Sequence, residues 1–548
     1  MFALGIRYLN GWAMATHPSD RERAEWPPHP DRVFMALAAA HFETEGGVEE
    51  RTALEWLQSL PAPAMAVGDY EQREIVTSYV PVNDTEIARR GDESKRLAAI
   101  DKVASLDKAK DAGLALMPEF RSRQSRSFPV AIPHVADDAA DGMPRVHLIW
   151  DAEAPARHQN ALALLSAKVT SIGHSASLVQ MWVESEPPPA TLIPVDGVAA
   201  KHRLRVSSAS RLEHLESRHK AGLRPSASLW QGYGDPPGKN EPDKSRAHSA
   251  FDPNLLILRR IEGPRLGLES TLRLTEALRG AVMSRCPVQP PHSWISGHAP
   301  TPPPDGKPSQ EPHLAFIPLA DVGHEHARGH LLGVAIVVPG GGRVSPEEQK
   351  TLNPVLFYTP EDEKANKEHI AGTPRQLDLT MGRAGVWRVE LADEDPRVAL
   401  RPEVWTGRTH GDNAGATAWA TVTPIVFDRH PKETWNESDP PRVWADKQAV
   451  YWREVEAMIA DACVRIGLPR PIEVVARPAP LFSGAPASGH MPRMLRKDGT
   501  QKRQTHAVIR FDTPVVGPVL LGAGRYRGYG LCRPLPNERS SERQGGVA

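Results

Sequence analysis

Residues 251–400 contain an order of apolar patterns that restricts the fold more than any other feature of the chain. The segment opens with NLLILRRIEG, typical of a strand, and continues with GLESTLRLTEALRGAVMSRC, typical of a helix. Two strand patterns follow, PHLAFIPLADV and GHLLGVAIVVP, and then a helix pattern, SPEEQKTLNPVLF, and a hairpin pattern, LDLTMGRAGVWRVEL. The order β-α-β-β-α-β predicts a ferredoxin-like domain, in which one sheet carries two helices on a single face and leaves the other face open for a ligand.

A related alternation of strand and helix patterns occurs on both sides of this segment. Near the N-terminus, the strand pattern FALGIRYLNGWAMA precedes the helix pattern DRVFMALAAAHFE, and the patterns HLIWDAE, HQNALALLSAKVTSI and GHSASLVQMWV follow later. From about residue 416 the order partly restarts, with TAWATVTPIVF, ADKQAVYWREVEAMIADACVRIG and PIEVVARPAP. The sequence therefore predicts an α+β protein with three units of related plan, without a repeat in sequence.

Composition indicates where these units begin and end. A chain of 548 residues exceeds what one core serves, so several domains are expected. The Lys/Asp/Ala-rich residues 85–115 predict an exposed helical insertion, and the Ser-, Gly- and Pro-rich residues 206–250 predict a linker. We expect an N-terminal domain over residues 1–205 and two C-terminal domains over residues 251–400 and 416–548.

Charge and cysteine content limit the class of protein. The net charge of −1 argues against indiscriminate binding to nucleic acid, but it permits local basic grooves. Three cysteines, far apart in the sequence, fit a reducing compartment. No apolar run approaches a membrane span, and the N-terminus has the pattern of a strand rather than that of a signal peptide. We therefore expect a cytoplasmic protein with no membrane partner.

The stretch GPVLLGAGRYRGYGLCRPL, residues 517–535, combines glycine with arginine and tyrosine. A dinucleotide-binding loop is not expected, because Pro534 and Pro536 block the helix that such a loop requires. Glycines that let the backbone approach phosphates, interleaved with cations and aromatic rings, suit RNA or single-stranded DNA. Tyr526 and Tyr529 either stack on bases or pack in the protein. The residues predicted to bind RNA here are Gly522, Gly524, Arg525, Arg527, Gly528 and Gly530.

Two further basic clusters are KHRLRVSSASR, residues 201–211, and RMLRKDGTQKR, residues 493–503. The second predicts a hairpin with Asp498-Gly499 at its turn, which would grip an RNA stem by its shape and phosphates. Its RNA-contacting side chains would be Arg496, Lys497, Lys502 and Arg503. An ordinary charged hairpin and, for residues 201–211, a solvated face are the alternatives.

Segments from about residue 3 to residue 535 resemble one known family. They are LGIRYLNGWAMATH, EWPPHPDRVFMALAAAHFE, MPEFRSRQSRSFPVAIP, IGHSASLVQMWV, ISGHAPTPPPDGKPSQEPHLAFIPLADVGHEHARGHLLGVAIVVP and LLGAGRYRGYGL. Together they are similar to the fused Cascade subunit of the type I-U, or I-G, CRISPR systems. Residues 85–115 and the predicted linker show no such similarity.

The resemblance implies both a fold and a function. In that family a backbone-type repeat-associated (RAMP) domain precedes a repeat-cleaving endoribonuclease part, with one N-terminal and two C-terminal ferredoxin-like (RRM-like) domains. The implied protein cuts precursor CRISPR RNA within its repeat and keeps the mature RNA bound. It works beside other Cascade subunits and meets target DNA indirectly, through the complex.

The resemblance also implies chemistry without a metal or a cofactor, in which the ribose 2′-hydroxyl attacks the adjacent phosphorus and leaves a 2′,3′-cyclic phosphate. Histidine suits the proton transfers, and lysine or arginine stabilises the charge of the phosphorane. The family often carries its histidine after the first helix of the first C-terminal domain, where this chain has His292 and His298. We select His298 as the main catalytic candidate, with His313, His324 and His326 in reserve. A loop histidine without a role is the alternative.

The run GHEHARGH permits a different interpretation. His324 and His326 would face the same side of a strand, and with His330 they could ligate zinc. The run lacks an HExxH helix or a CxxC partner, so a hairpin turn or a role in contacting RNA stays open. Two alternative functions follow from these doubts about the histidines: a non-catalytic RNA-binding scaffold, and a metal-dependent hydrolase that uses residues 324–330.

In the N-terminal domain, four arginines are candidates for holding the 5′ handle of the mature RNA. They are Arg32, Arg121, Arg123 and Arg126. Their alternative role is ion pairing within the protein. Trp26 and Phe34 are expected in the core.

Overall fold

The computed structural model describes most of the chain as two compact units. The described residues are 1–17, 20–73, 76–81, 123–135, 141–195, 197–200, 202–226, 228–236, 247–298, 309, 311–369, 371–392, 397–407, 415–433, 440–496 and 498–535. One unit comprises residues 1–59, 67–147 and 151–187, and the other comprises residues 60–66, 148–150 and 188–548. Helices and mainly antiparallel sheets occur throughout, which confirms the α+β class.

The first 187 residues contain the predicted N-terminal elements. In chain order these are β1 (Phe2–Tyr8), β2 (Ala13–Met14), β3 (Thr16–His17), β4 (Asp20–Ala24), α1 (Pro30–Glu43), α2 (Val48–Ser59), β5 (Ala64–Ala66), β6 (Tyr70–Gln72), β7 (Val76–Pro81), β8 (Arg123–Phe128), β9 (Val130–Pro133), β10 (Arg145–Trp150), α3 (Ala156–Ser166) and β11 (Val179–Glu184). The expected insertion at residues 85–115 lies outside the described residues.

Helix α1 shows why the apolar pattern predicted a helix at this position. Pro30 occupies the first turn of the helix, where the N–H that proline lacks would have no partner within the helix. Val33, Phe34 and Leu37 lie on the buried face of the helix. Strand β1 is almost wholly buried and pairs antiparallel with β11. Trp26 and Phe34 are buried, so their expected place in the core is confirmed.

The described rest of the chain adds three further sheets and their helices. In order the elements are β12 (Ile193–Pro194), β13 (His202–Val206), α4 (Arg211–Lys220), β14 (Leu229–Gly234), β15 (Ala247–His248), β16 (Leu256–Glu262), α5 (Thr271–Arg285), α6 (Ser293–Ser296), β17 (Ala315–Ala320), β18 (Leu331–Val337), α7 (Pro346–Gln349), α8 (Asn353–Leu356), α9 (Pro360–Ala365), β19 (Leu377–Thr380), β20 (Val386–Leu391), α10 (Glu403–Thr406), β21 (Ala416–Thr421), β22 (Ile425–Val426), α11 (Pro441–Arg465), β23 (Glu473–Arg477), β24 (Gln504–Val516) and β25 (Cys532–Pro534).

One of these sheets has the antiparallel order β17-β18-β16-β20-β19. Helix α5 packs against β17, as the apolar pattern of residues 251–400 predicts. The second predicted helix is broken into α7, a 3₁₀ turn and α8. Pro354 lies in the first turn of α8 and has no N–H to donate, so a continuous helix would lack a hydrogen bond there.

A second sheet has the order β15-β24-β21-β25, and β22 and β23 also pair with β24. Helix α11 packs against β23. Its buried Val455, Ile459 and Cys463 form a core with Trp419 and Phe511 of the strands. The two sheets lie in the same compact unit.

Residues 206–250, predicted as a linker, contain α4, β14 and β15. Leu212 and Tyr233 are fully buried, so a few apolar side chains anchor a segment whose composition is otherwise polar. None of the described helices has both the length and the apolar content that crossing a bilayer would require.

Candidate functional site

The chain that follows α5 places His298 on the surface. Helix α5 ends at Arg285, and after a short connection His292 precedes the single turn of α6. Gly297 ends that turn with a φ of 73°, a left-handed conformation that favours glycine. The exposed His298 comes next, and its Nδ1–H donates to the Ser296 carbonyl at 3.1 Å. This hydrogen bond leaves Nε2 of His298 as the proton acceptor.

His313 lies just before β17, and its half-buried ring joins the His298 loop to the glycine-rich loop. The ring stacks on that of Tyr526, with centroids 3.6 Å apart and an interplanar angle of 24°. A Cβ built on Gly297 would lie 2.7 Å from His313 Nε2, so the His298 loop packs closely against the His313 ring. Burial lowers the pKa of His313 to about 4, and neighbouring positive charges act in the same direction. His313 is therefore neutral at physiological pH.

Two arginines flank this pair of histidines. Arg279 of α5 donates from Nη2 to the Ser296 carbonyl at 2.8 Å. The Arg525 guanidinium lies 4.6 Å from the ring centroid of Tyr526 and donates to the Gly522 carbonyl at 3.1 Å. Both positive charges help to lower the pKa of His313, although burial is the larger cause. The arrangement can bind and stabilise an anion beside an imidazole.

The glycine-rich loop, residues 522–530, uses its glycines to pack on the protein. Gly528 has a φ of 79°, and a Cβ there would lie 2.8 Å from side-chain atoms of Thr271 and Pro318. Thr275 Oγ1 of α5 donates to the Arg527 carbonyl at 3.2 Å. Close approaches to protein atoms also occur at Gly522, Gly524 and Gly530. Within this loop, arginine side chains are thus better placed than glycine backbone to meet a ligand.

The two tyrosines of the loop have different environments. Tyr529 is fully buried, and its hydroxyl donates to the Pro492 carbonyl at 2.5 Å. It therefore packs in the core and joins the loop to the chain just before the basic hairpin. Tyr526 is half-buried and is stacked on His313, so only part of its ring is open to a ligand.

The basic hairpin predicted at residues 493–503 is confirmed. Lys502 N–H donates to the Met494 carbonyl at 2.8 Å, and Gly499 takes a φ of 82° at the turn. The Arg503 guanidinium lies 5.6 Å from the ring centroid of Tyr451, and Arg496 is half-buried. Lys497 falls outside the described residues.

The run GHEHARGH forms the connection between β17 and β18. His324 and His326 lie in a turn and not on a strand, so the expectation that they share a strand face is wrong. His324 Nε2 lies 2.7 Å from Asp321 Oδ1, His330 Nδ1 lies 3.3 Å from Asp321 Oδ2, and His326 is exposed. Across the described residues, no three His, Cys, Asp or Glu side chains are arranged to hold a metal ion.

One of the candidate arginines of the first unit, Arg32, forms an ion pair within the protein. Arg32 donates to both carboxylate oxygens of Glu25, at 2.6 and 2.5 Å, and Glu25 is buried. Arg123 and Arg126 lie on β8, whereas Arg121 is outside the described residues. Arg32 thus forms an ion pair within the protein, which was the alternative to its expected role in binding RNA.

Sequence reasoning gave Arg279 no role and treated His313 only as a reserve. No sequence signal separates Arg279 from the other arginines of α5. Its place at the site follows from the return of the chain past Ser296, which the order of elements does not specify. Tyr526 was noted beside the arginines, but its partner His313 is distant in sequence.

Comparison with known proteins agrees with the resemblance at the level of the family. A family model described as CRISPR-associated protein, GSU0054 family, matches residues 2–342 and 384–534, which is most of the chain. Among curated proteins, none matches it. The match indicates a role in CRISPR defence, and the chain belongs to the GSU0054 family of CRISPR-associated proteins.

Proposed function

We propose that this protein is a metal-independent endoribonuclease that cuts precursor CRISPR RNA within its repeat and retains the product as a subunit of a type I Cascade complex. The carrying observation is the place of the His313 ring, which stacks on Tyr526 of the arginine-bearing glycine-rich loop and lies beside Gly297 of the His298 loop. We further propose the fused type I-U, or I-G, subtype, with a RAMP-type N-terminal domain and ferredoxin-like domains.

In the proposed reaction His298 is the proton acceptor. Its Nε2 takes the proton of the ribose 2′-hydroxyl while the 2′-oxygen forms a bond to the adjacent phosphorus. The bond from phosphorus to the 5′-oxygen breaks, and the departing oxygen takes a proton from solvent. The products are a 2′,3′-cyclic phosphate and a 5′-hydroxyl. The charge that develops on the phosphorane lies near Arg279 and Arg525, which stabilise it.

The other residues of the site position the substrate. His313, kept neutral by burial, holds the two loops in register and adds no charge of its own. The basic hairpin at residues 493–503 is joined to the glycine-rich loop through Tyr529 and Pro492, and it would bind the stem of the repeat by its phosphates. Of the N-terminal arginines, those other than Arg32, which is paired with Glu25, would hold the 5′ handle.

The first test is cleavage of a labelled RNA with one CRISPR repeat in excess EDTA, followed by analysis of the product ends. A discrete cut with a cyclic phosphate supports the proposal. Tight binding without a cut would favour the non-catalytic scaffold. Cleavage only with added zinc or magnesium would favour the hydrolase that uses residues 324–330.

The second test compares His298→Ala with His326→Ala, a matched change of an exposed loop histidine. We expect His298→Ala to bind repeat RNA normally and to lose at least about 100-fold in cleavage rate, since general acid–base groups contribute on that order. His326→Ala should cleave like the wild type. Normal cleavage by His298→Ala would show that the catalytic histidine is wrong.

A further inference from the structure

The basic cluster at residues 201–211 has no part in the proposed cleavage site, yet its arginines have a distinctive arrangement. Strands β13 and β14 pair antiparallel, with Arg205 opposite Trp230 and Arg203 opposite Gly232. Opposed residues share a face of a sheet, and so do residues two apart on one strand. Arg203, Arg205 and Trp230 therefore lie on the same face of the three-stranded sheet β12-β14-β13.

Both arginines lie over aromatic rings. The Arg205 guanidinium is 4.7 Å from the ring centroid of Trp230, and that of Arg203 is 5.4 Å from the ring centroid of Phe357. Within the described part of the chain, the side chain of Arg205 makes no hydrogen bond or ion pair, and its Nε is buried without a hydrogen-bond partner. A cation held on an indole without a carboxylate keeps its charge available to an external anion.

The surroundings of this pair are basic and partly open. Trp230 and Arg205 are half-buried, and the neighbouring Leu229 is 61% exposed. Residues 201–236 contain seven lysines and arginines against three acidic residues. Lys220 and Arg224, which follow in the connection between β13 and β14, are exposed.

We propose that the Arg205–Trp230 pair, with Arg203, binds a stretch of single-stranded polynucleotide. A base stacks on the open part of the indole, and successive phosphates pair with arginines two positions apart on β13, about 6.6 Å along the strand. Single-stranded rather than duplex nucleic acid fits, because a duplex offers no free base face to an aromatic ring. The choice of a polynucleotide as the ligand rests on the proposed function, whereas the site is separate from the cleavage site.

The test uses the full-length protein with Arg205→Gln, Trp230→Leu and the control Arg224→Gln, which removes an exposed charge from the same segment. The probes are fluorescent 15-mers of uridylate and of deoxythymidylate, followed by anisotropy over a range of salt concentrations. We expect Trp230→Leu and Arg205→Gln each to weaken binding about tenfold, in line with the loss of one stacked base or one phosphate contact. Arg205→Gln should also reduce the slope of log K against log salt by about 0.7, and Trp230→Leu should leave it unchanged.

A 4-thiouridine-labelled 15-mer should crosslink to the peptide that contains Trp230. Trp230→Phe should retain most of the affinity that Trp230→Leu loses, because a phenyl ring can still stack on a base; a merely structural role for the ring would not require this. Tighter binding of the RNA probe would identify the RNA guide as the source of the strand, and tighter binding of the DNA probe would identify a DNA strand.

Three results would overturn the proposal: wild-type affinity in both variants, an equal loss in Arg224→Gln, or equal competition by polyglutamate, which indicates an acidic protein partner. Cleavage of repeat RNA by the same variants separates this site from the proposed function. Weaker binding of the 15-mers with normal repeat cleavage supports both. If the variants bind the 15-mers more weakly and the wild-type protein does not cleave repeat RNA at all, the binding site is supported and the nuclease proposal is refuted.

Discussion

Replacing Gly297 with alanine should disrupt the contact between the His298 loop and the ring of His313. Gly297 has a φ of 73°, and an added Cβ would lie 2.7 Å from His313 Nε2. Carbon contacts are ordinarily near 3.5 Å, so the ring would have to move by about 0.8 Å. It has little room on the other side, because the Tyr526 ring is stacked on it with centroids 3.6 Å apart.

Two costs contribute to the expected loss of stability. A side chain in the left-handed conformation costs about 1–2 kcal/mol, and crowding of a packed ring adds about 1–3 kcal/mol. The free energy of unfolding should therefore fall by about 2–5 kcal/mol. Gly372→Ala is the matched control, because Gly372 has a φ of 81° and no atom within 4 Å of its added Cβ. It should show the first cost alone.

Thermal unfolding and single-turnover cleavage of repeat RNA measure the two consequences. Gly297→Ala should unfold at a lower temperature than Gly372→Ala and should cleave about 100-fold more slowly than wild type, as a displacement near 1 Å at a catalytic site can cause. Gly372→Ala should cleave normally. Equal unfolding temperatures and equal cleavage rates for the two variants would refute the role assigned to the Gly297–His313 contact.

Three further predictions concern stability. Tyr529→Phe should lower the free energy of unfolding by about 1–3 kcal/mol, since it leaves a carbonyl without its buried hydroxyl donor, and hydrogen exchange across residues 522–530 should speed up; unchanged exchange would contradict this. Arg32→Ala should cost about 3–5 kcal/mol in urea unfolding because the buried Glu25 loses its guanidinium partner and keeps only the longer contacts with His29. Arg51→Ala, in an exposed pair, should cost at most about 1 kcal/mol; similar losses would show that burial of Glu25 is unimportant. Burial lowers the pKa of His506 from 6.5 to about 4, so the folded state binds fewer protons than the unfolded state between these values. Its contribution, at most about 3 kcal/mol, is complete above pH 6.5 and is lost as the pH falls toward 4, so the unfolding temperature should decline over that range, and His506→Gln should flatten the decline.

The sequence predicted the helices and strands whose buried side chains produce a recognisable apolar pattern. Helix α1 buries one face, so a spacing near 3.6 residues appears in its sequence, whereas strand β1 is buried on both faces, so its sequence is a short and nearly continuous apolar run. The turn at Asp498-Gly499 was predicted for a similar reason, since its geometry needs a residue that accepts positive φ.

The prediction of secondary structure from sequence was wrong where a few single residues, and not the composition of the whole segment, decide the local structure. The described part of the polar segment 206–250 folds around a few buried side chains, among them Leu212 and Tyr233, and these are too few to produce a period. The pattern of residues 346–356 is helical, but Pro354 interrupts the hydrogen bonding. The histidines of GHEHARGH alternate like strand residues and yet lie in a turn, because the strand ends at Ala320.

The sequence by itself determined the order of helices and strands, the α+β class, and the basic and glycine-rich segments, because these depend on the period and chemistry of neighbouring residues. Only the tertiary structure decided that His313 stacks on Tyr526, that Gly297 packs against His313, and that Arg279 contacts the Ser296 carbonyl. Their proximity depends on how α5, β17 and the C-terminal loop pack together, and no local pattern encodes that packing. The same applies to Arg205 and Trp230, which the register of β13 and β14 brings face to face.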